Sequence, residues 1–138
     1  MLRFKGRTSF GSLGTCQTLL STNRAGGLPP LWLGLRGAEQ RLTAVLNYEA
    51  GRSPHYWLGP GIGSDNPFDI EVMLHSDMGP GGLMYRAADD KGWTSMSAAS
   101  AWGLERICAS KEWSVGHSSR GGADYPFMGP GLAVSLAW

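Results

Sequence analysis

The sequence predicts an all-β fold, an antiparallel β-sandwich that forms a single domain over residues 1–138. Glycine accounts for 21 of the 138 residues and proline for 8, so the chain contains many turn-forming positions. Between them lie short runs rich in apolar and aromatic residues, as in folds made of many short strands. This composition disfavours a helical bundle and favours a sandwich or a barrel. Either the protein is cytoplasmic or the chain is an excised domain or mature segment of a larger protein.

The strand candidates follow one another at short intervals along the chain. They are residues 2–5, 16–21, 31–35, 41–48, 55–58, 68–75, 83–86, 112–115 and 132–136. We expect hairpin turns at residues 36–40 and 79–82, and a polar turn at 87–92. Residues 59–63 (Gly-Pro-Gly-Ile-Gly) are expected to break the chain between strands. Residues 95–104 are expected to form a loop with at most one helical turn, because their serines and glycine weaken a helix.

The clearest strand signal is the alternation in residues 68–75. One face would carry the four apolar side chains Phe68, Ile70, Val72 and Leu74, and the other would carry Asp69, Glu71, Met73 and His75. Such a strand buries its apolar face against a second sheet about 10 Å away.

Charge and hydropathy exclude several classes of partner. Charged residues make up 17% of the chain and the formal net charge is +1, with no basic stripe of the kind that binds nucleic acid. No apolar run approaches the roughly 20 residues of a membrane helix, so membrane insertion is not expected. The first five residues lack the apolar stretch of a secretory signal.

The two cysteines leave two interpretations open. Cys16 and Cys108 would form a disulfide only if the fold brings their Cα atoms within about 7 Å. Otherwise both are small buried apolar side chains.

The C-terminal residues resemble the end of laminin G-like and pentraxin-like domains of the concanavalin A-like lectin and glucanase superfamily. The resemblance rests on Trp113-Ser114-Val115-Gly116, Phe127-Met128-Gly129, Leu132-Ala133-Val134 and Trp138, with Gly-Gly-Ala-Asp at 121–124. Residues 2–6, 68–75 and 82–93 are similar to earlier strands and turns of the same superfamily. The resemblance implies a jelly-roll sandwich and an extracellular location. Gly116 would then allow a sharp turn, and Phe127 would plug the end of the core.

The resemblance implies a calcium site that the residues support poorly. Pentraxins carry Glu, Gln and Asp after the apolar-Gly pair, whereas this chain has His117-Ser118-Ser119-Arg120. Calcium favours several oxygen ligands, usually including carboxylates. Among the loop aspartates (Asp65, Asp77, Asp89, Asp90 and Asp124), Asp77 and Asp124 are the pair that could converge at one rim. We therefore expect no cofactor and turn capping as the role of these residues, with a calcium site at Asp77 and Asp124 as the alternative.

One pair of carboxylates predicts an alternative enzymatic function. Glycosidases of the laminarinase type carry the pattern Glu-x-Asp-x-Glu on one strand, and Asp69-x-Glu71 resembles part of it. Met73 occupies the third position, so one carboxylate of the pattern is missing. The alternative is that Asp69 and Glu71 are solvated side chains on the outer face of a sheet.

Other catalytic patterns are missing from the sequence. The histidines His55, His75 and His117 lack zinc-ligand spacing, and there is no Gly-x-Ser-x-Gly nucleophile elbow. There is also no phosphate-binding loop or dinucleotide fingerprint.

Aromatic residues near loops are the candidate ligand-binding residues. Sugar rings stack their C–H faces on Trp and Tyr while neighbouring polar groups bind the hydroxyls. The predicted platform consists of Tyr56, Trp57 and Trp102 with Arg52 or Arg106. The alternative is that these rings fill the ends of the core.

The sequence thus favours a non-catalytic recognition domain that binds carbohydrate or a protein surface. A glycoside hydrolase or lyase that uses Asp69 and Glu71 is one alternative. The other is a structural module that assembles through sheet faces or edges.

Overall fold

The structure is a computed structural model that describes residues 1–9, 16–22, 31–46, 55–74, 83–88, 90–98, 113–116, 119–120, 123–124, 126–129 and 131–136. These residues form strands and turns and contain no helix. The strands are β1 (Leu2–Arg7), β2 (Gln17–Thr22), β3 (Leu31–Arg36), β4 (Arg41–Leu46), β5 (His55–Gly61), β6 (Pro67–Leu74), β7 (Leu83–Ala87), β8 (Thr94–Ser95), β9 (Ser97–Ala98), β10 (Trp113–Val115), β11 (Ser119–Arg120), β12 (Ala123–Asp124) and β13 (Leu132–Leu136). The described residues contain no helical segment with the length and hydropathy of a membrane span.

Two antiparallel sheets make up the fold, which confirms the all-β prediction. The five-stranded sheet has the order β13-β1-β6-β7-β8, and the six-stranded sheet has the order β10-β2-β3-β4-β5-β9. A separate hairpin pairs β11 with β12. The sequence did not predict this hairpin, because its strands are only two residues long.

The core lies between the apolar faces of the two sheets. The six-stranded sheet contributes alternate residues of β3 and β4, among them Leu31, Leu33 and Leu35, all fully buried. The five-stranded sheet contributes Phe68, Ile70 and Val72 from β6, which confirms the predicted alternation of that strand. Its remaining core residues are Leu2, Phe4 and Leu83.

The C-terminal residues turn as expected. Gly116, directly after β10, has a φ of +74°, a left-handed conformation that glycine adopts without strain. Its carbonyl oxygen accepts a 2.8 Å hydrogen bond from the amide of Phe127. The Phe127 ring packs edge-on against Phe68 with ring centroids 6.1 Å apart, and it thereby covers part of the core.

Two sequence-based boundaries were wrong. Residues 59–61 do not break the chain, since β5 continues through them to Gly61. They lie where β4 and β5 shift register, between the pairs Leu58–Thr43 and Gly61–Arg41. A bulge of this kind tolerates Pro60, because the amide proton that proline lacks is not needed there.

The expected loop at residues 95–104 instead begins with strand pairing. β8 joins the five-stranded sheet, and β9 joins the six-stranded sheet. Met96 lies between them, buried, and its amide donates a 2.8 Å hydrogen bond to the carbonyl of Leu83. Burial of the Met96 side chain stabilises an extended segment between the two sheets relative to a helical turn. Residues 99–104 lie outside the described residues.

Buried amide side chains connect three segments at one end of the sandwich. Gln17 donates a 2.7 Å hydrogen bond to the Gln40 side-chain oxygen, and Gln40 donates one of 2.7 Å to the carbonyl of Gly37. The amide of Met128 donates a 2.7 Å hydrogen bond to the Gln17 side-chain oxygen. Both glutamines are fully buried, so these bonds replace lost contacts with water.

Gly34 permits a close approach that any larger residue would prevent. The Trp32 ring lies across it, and the indole nitrogen of Trp32 donates a 2.8 Å hydrogen bond to the Thr18 hydroxyl. A β-carbon on Gly34 would overlap both the Trp32 ring and the carbonyl oxygen of Gln17. The overlap with backbone cannot be relieved by a rotamer change alone.

We therefore expect Gly34→Ala to lower the free energy of unfolding by about 3 kcal/mol, near the upper end of overpacking costs. Urea unfolding followed by tryptophan fluorescence measures the difference. Gly92→Ala is the matched control, because a β-carbon there meets nothing within 4 Å, and its effect should stay within about 0.5 kcal/mol. Equal effects of the two substitutions would contradict this account.

Candidate functional site

A groove lies on the outer face of the six-stranded sheet, where β3 turns into β4. Its volume is about 330 Å³, within the range of small-ligand sites, and it is open to solvent. The lining residues are Arg36, Gly37, Ala38, Glu39, Arg41, Thr43 and Leu58. We call this surface the hairpin groove.

The β3–β4 turn gives the groove a defined rim. Gly37 and Gln40 have φ values of +75° and +47°, and the Gln40 amide donates a 3.0 Å hydrogen bond to the Gly37 carbonyl. A left-handed glutamine is strained. The hydrogen bonds of its buried side chain to Gln17 and Gly37 hold it in place.

Arg36 extends across the sheet at the edge of the groove. Its guanidinium carbon lies 5.3 Å from the centroid of the Tyr56 ring, on β5, although β4 runs between the two strands. This cation–π contact limits the rotamers of a long side chain. Among the described residues, no carboxylate forms a salt bridge with Arg36.

Arg41 lies directly opposite Arg36 in the pairing of β3 with β4. Arg41 forms a 3.1 Å salt bridge with Glu39, whose side chain is 71% exposed. Exposed ion pairs of this kind are weak, about 0.2–1 kcal/mol. The groove therefore carries two cations and one loosely held carboxylate.

The floor of the groove is partly apolar. Thr43 is buried on β4, and Leu58, its pairing partner on β5, exposes 40% of its surface. An exposed leucine in the same groove as two arginines provides both an apolar contact surface and hydrogen-bond donors.

Only one residue of the predicted aromatic platform lies near this groove. Tyr56 is half-buried beneath Arg36 on the outer face of β5. Trp57 points to the opposite face and is fully buried in the core, where its indole nitrogen has no hydrogen-bond partner among the described residues. Trp57 is therefore not presented to a ligand. Arg52, Trp102 and Arg106 lie outside the described residues.

Sequence reasoning missed most of the groove. It treated residues 36–40 only as a turn, although Arg36 and Arg41 at the two ends of that turn were a usable signal. Residues that flank a tight hairpin pair with each other, so two arginines there must lie side by side.

Asp69 and Glu71 lie on the outer face of the five-stranded sheet, as their alternation predicted. Each is paired with an arginine. Arg3 donates hydrogen bonds of 2.8 and 2.6 Å to the two Asp69 oxygens, and Arg86 donates one of 2.5 Å to Glu71. The Arg86 guanidinium also lies 4.3 Å from the centroid of the Trp93 ring.

Glu71 is only 6% exposed, so the expectation of a solvated side chain was wrong for this residue. Arg86 on the neighbouring strand covers it. The hydrogen bonds from Arg3 hold the pKa of Asp69 below its ordinary value. Partial burial acts to raise this pKa, whereas the charges of Arg3 and Lys5 act to lower it further. A general acid in glycoside hydrolysis needs a raised pKa, the opposite shift.

The loop aspartates, including the alternative calcium pair Asp77 and Asp124, and the three histidines are only partly described. Asp77 and Asp89 lie outside the described residues, as do His75 and His117, and for Asp124 and His55 only the strand backbone is described. Asp65 accepts a 3.3 Å hydrogen bond from Arg7. Within the described ranges, no three His, Cys, Asp or Glu side chains gather to hold a metal ion. Cys16 is a free, half-buried thiol, and Cys108 lies outside those ranges.

One side of the sandwich exposes apolar side chains. Trp113 and Val115 on β10 are 42% and 48% exposed. The edge strand of the other sheet on this side is β13, whose Leu132 lies close to Gly116. Within the described residues, β10 and β13 each pair on one side only.

The Arg3–Asp69 pair predicts a specific acid dependence. Because the pKa of Asp69 is lower in the folded than in the unfolded chain, the pair stabilises the fold fully above the unfolded value, about 3.9. This contribution is lost as the pH falls through the folded pKa. We expect Asp69→Asn to reduce the steepness with which the free energy of unfolding falls below pH ~4. Denaturant titrations at several pH values measure it.

Arg3→Met provides the control for this prediction. It removes the partner instead of the carboxyl group and should flatten the pH dependence similarly, with no further change in the double variant. An unchanged slope in Asp69→Asn would contradict the assignment.

Comparison with known proteins identifies no relative of this chain. The chain matches none of the protein-family models, none of the curated proteins and none of the solved structures compared with it. The proposed function therefore rests on the geometry of the hairpin groove and its surroundings.

Proposed function

We propose that this chain is a non-catalytic recognition domain that binds carbohydrate in the hairpin groove. The observation that carries the proposal is the combination, in one open groove, of the exposed apolar side chain of Leu58 with the charged groups of Arg36, Glu39 and Arg41. Saccharides need both features, since their C–H faces pack on apolar surface and their hydroxyls bind polar groups.

The fold supports the proposal at a coarser level. Two antiparallel sheets pack around one core, Gly116 turns the chain after β10, and Phe127 packs against the core. We propose that the chain is a jelly-roll sandwich of the concanavalin A-like type on this basis. Lectins are among the proteins built on that fold.

The carboxylates of β6 favour binding over catalysis. Both Asp69 and Glu71 are held by arginines, and the pKa of Asp69 is shifted downward by Arg3. A carboxyl group whose pKa is lowered does not hold a proton at neutral pH, so Asp69 is unsuited to act as the general acid. Their arrangement is that of a structural ion-pair ladder across the sheet.

A glycan array with the purified domain, followed by calorimetric titration of each hit, tests the proposal. We expect Leu58→Gln to weaken the affinity about tenfold, because it removes apolar contact worth about 1.4 kcal/mol. Met128→Gln is the matched control, since Met128 is 42% exposed and lies outside the groove. A domain that binds no saccharide, or a Leu58→Gln variant that binds as well as the wild type, would refute this function.

A second candidate function is self-assembly through the edge strands, and the exposed Trp113 and Val115 favour it. β10 and β13 contain neither charged residues nor proline, the usual protection of sheet edges. A second copy of the chain would therefore meet this edge without charge repulsion.

Light scattering tests this second candidate. We expect a mass of two chains for the wild type and of one chain for Val115→Lys, since a buried ammonium group at the interface is costly. Gly92→Lys adds the same charge in the turn before β8, at the opposite edge of the five-stranded sheet from β13, and should remain dimeric. A monomeric wild type would exclude assembly through these edges.

A further inference from the structure

We infer that the hairpin groove selects a saccharide that carries an oxyanion, a carboxylate or a sulfate ester, and that Glu39 acts as an internal competitor for it. This inference rests on the proposed saccharide-binding function and names the ligand class for the same groove. The ligand's anionic group would bind Arg36 directly and displace the Glu39 carboxylate from Arg41.

Arg36 is the first reason for this inference. Its guanidinium lies against the Tyr56 ring, and no carboxylate of the described residues neutralises its charge at the groove. A guanidinium held by an aromatic ring loses less rotamer entropy when it binds a ligand. Its fork of N–H donors matches the two oxygens of a carboxylate or sulfate group.

The Arg41–Glu39 pair is the second reason. The bond length is 3.1 Å, and the two side chains are 44% and 71% exposed, so the pair is held weakly. Glu39 lies in the turn, and its side chain can rotate into solvent. This rotation breaks no described side-chain contact except the one with Arg41. A ligand oxyanion that enters the groove therefore takes the place of the Glu39 carboxylate at Arg41, and the same oxyanion also binds Arg36.

The competition gives Arg36 and Glu39 opposite effects on affinity. Removal of the Arg36 charge takes away an attraction for the ligand. Removal of the Glu39 charge takes away the group that the ligand must displace and the like charge that repels it. A groove that bound neutral saccharides would not respond with opposite signs.

Three probe ligands separate the charge from the sugar. They are trigalacturonic acid, its methyl ester and a sulfated galactose oligosaccharide. Calorimetry gives the affinities, and the amide resonances of Gly37 and Ala38 in ¹⁵N–¹H spectra show whether binding occurs at the groove. We expect the acid or the sulfated sugar to bind about tenfold more tightly than the methyl ester, with the difference shrinking as salt screens the charges.

The variants give the decisive comparison. We expect Arg36→Gln to weaken binding of the acidic probe about tenfold and Glu39→Gln to strengthen it about threefold. Arg36→Lys keeps the charge but loses the paired donors, so its affinity should lie between those of the wild type and Arg36→Gln. Lys91→Gln, which changes the net charge equally in the exposed turn before β8 on the other sheet, should have no effect.

The outcomes distinguish this inference from the function on which it rests. Equal binding of the acid and its methyl ester at Gly37 and Ala38 would overturn the oxyanion preference and leave saccharide binding intact. A response of these amides to sodium sulfate without any response to saccharides would overturn the proposed function and support the anion site. Weaker binding by Glu39→Gln would overturn the role of Glu39 as a competitor.

Discussion

The hydrogen bond between Gln17 and Gln40 fixes the end of the molecule on which the hairpin groove lies. Both side chains are fully buried, and each amide uses its remaining groups to bind backbone, at Met128 and at Gly37. An unsatisfied buried amide group costs about 1–3 kcal/mol, so the bonds form together or the segments separate. They hold the β3–β4 turn against the start of β2, and thereby set the positions of Arg36 and Arg41 at its two ends.

The outer faces of the two sheets use their charges differently. On the five-stranded sheet, Arg3 neutralises Asp69 and Arg86 neutralises Glu71, so both of these β6 carboxylates are paired within the sheet. On the six-stranded sheet, Arg36 rests on an aromatic ring and has no carboxylate partner among the described residues. A charged group without a described partner beside an apolar surface is typical of a ligand site. For this reason we propose the hairpin groove as the recognition site.

Strand positions were predictable wherever one face of a strand is buried. The alternation at β6 and the apolar runs of β3 and β13 indicated strands because a buried face demands apolar residues at every second position. The continuation of β5 through Gly59 and Pro60 was not predictable in this way. It depends on a register shift between β4 and β5. The sequence of a single strand does not indicate such a shift, because the shift is a property of the pair.

Composition and alternation by themselves determined the all-β class, the apolar face of β6 and the placement of Asp69 and Glu71 on the opposite face. The tertiary structure decided the partners of these groups. It buried Glu71 beneath Arg86, turned Trp57 into the core while Tyr56 faced outward, and brought Arg36 to Tyr56 across an intervening strand. The reason is physical. Periodicity reports which side of a strand a residue occupies, whereas its neighbours on that side come from strands whose order in the sheet is set by the packing of the whole chain.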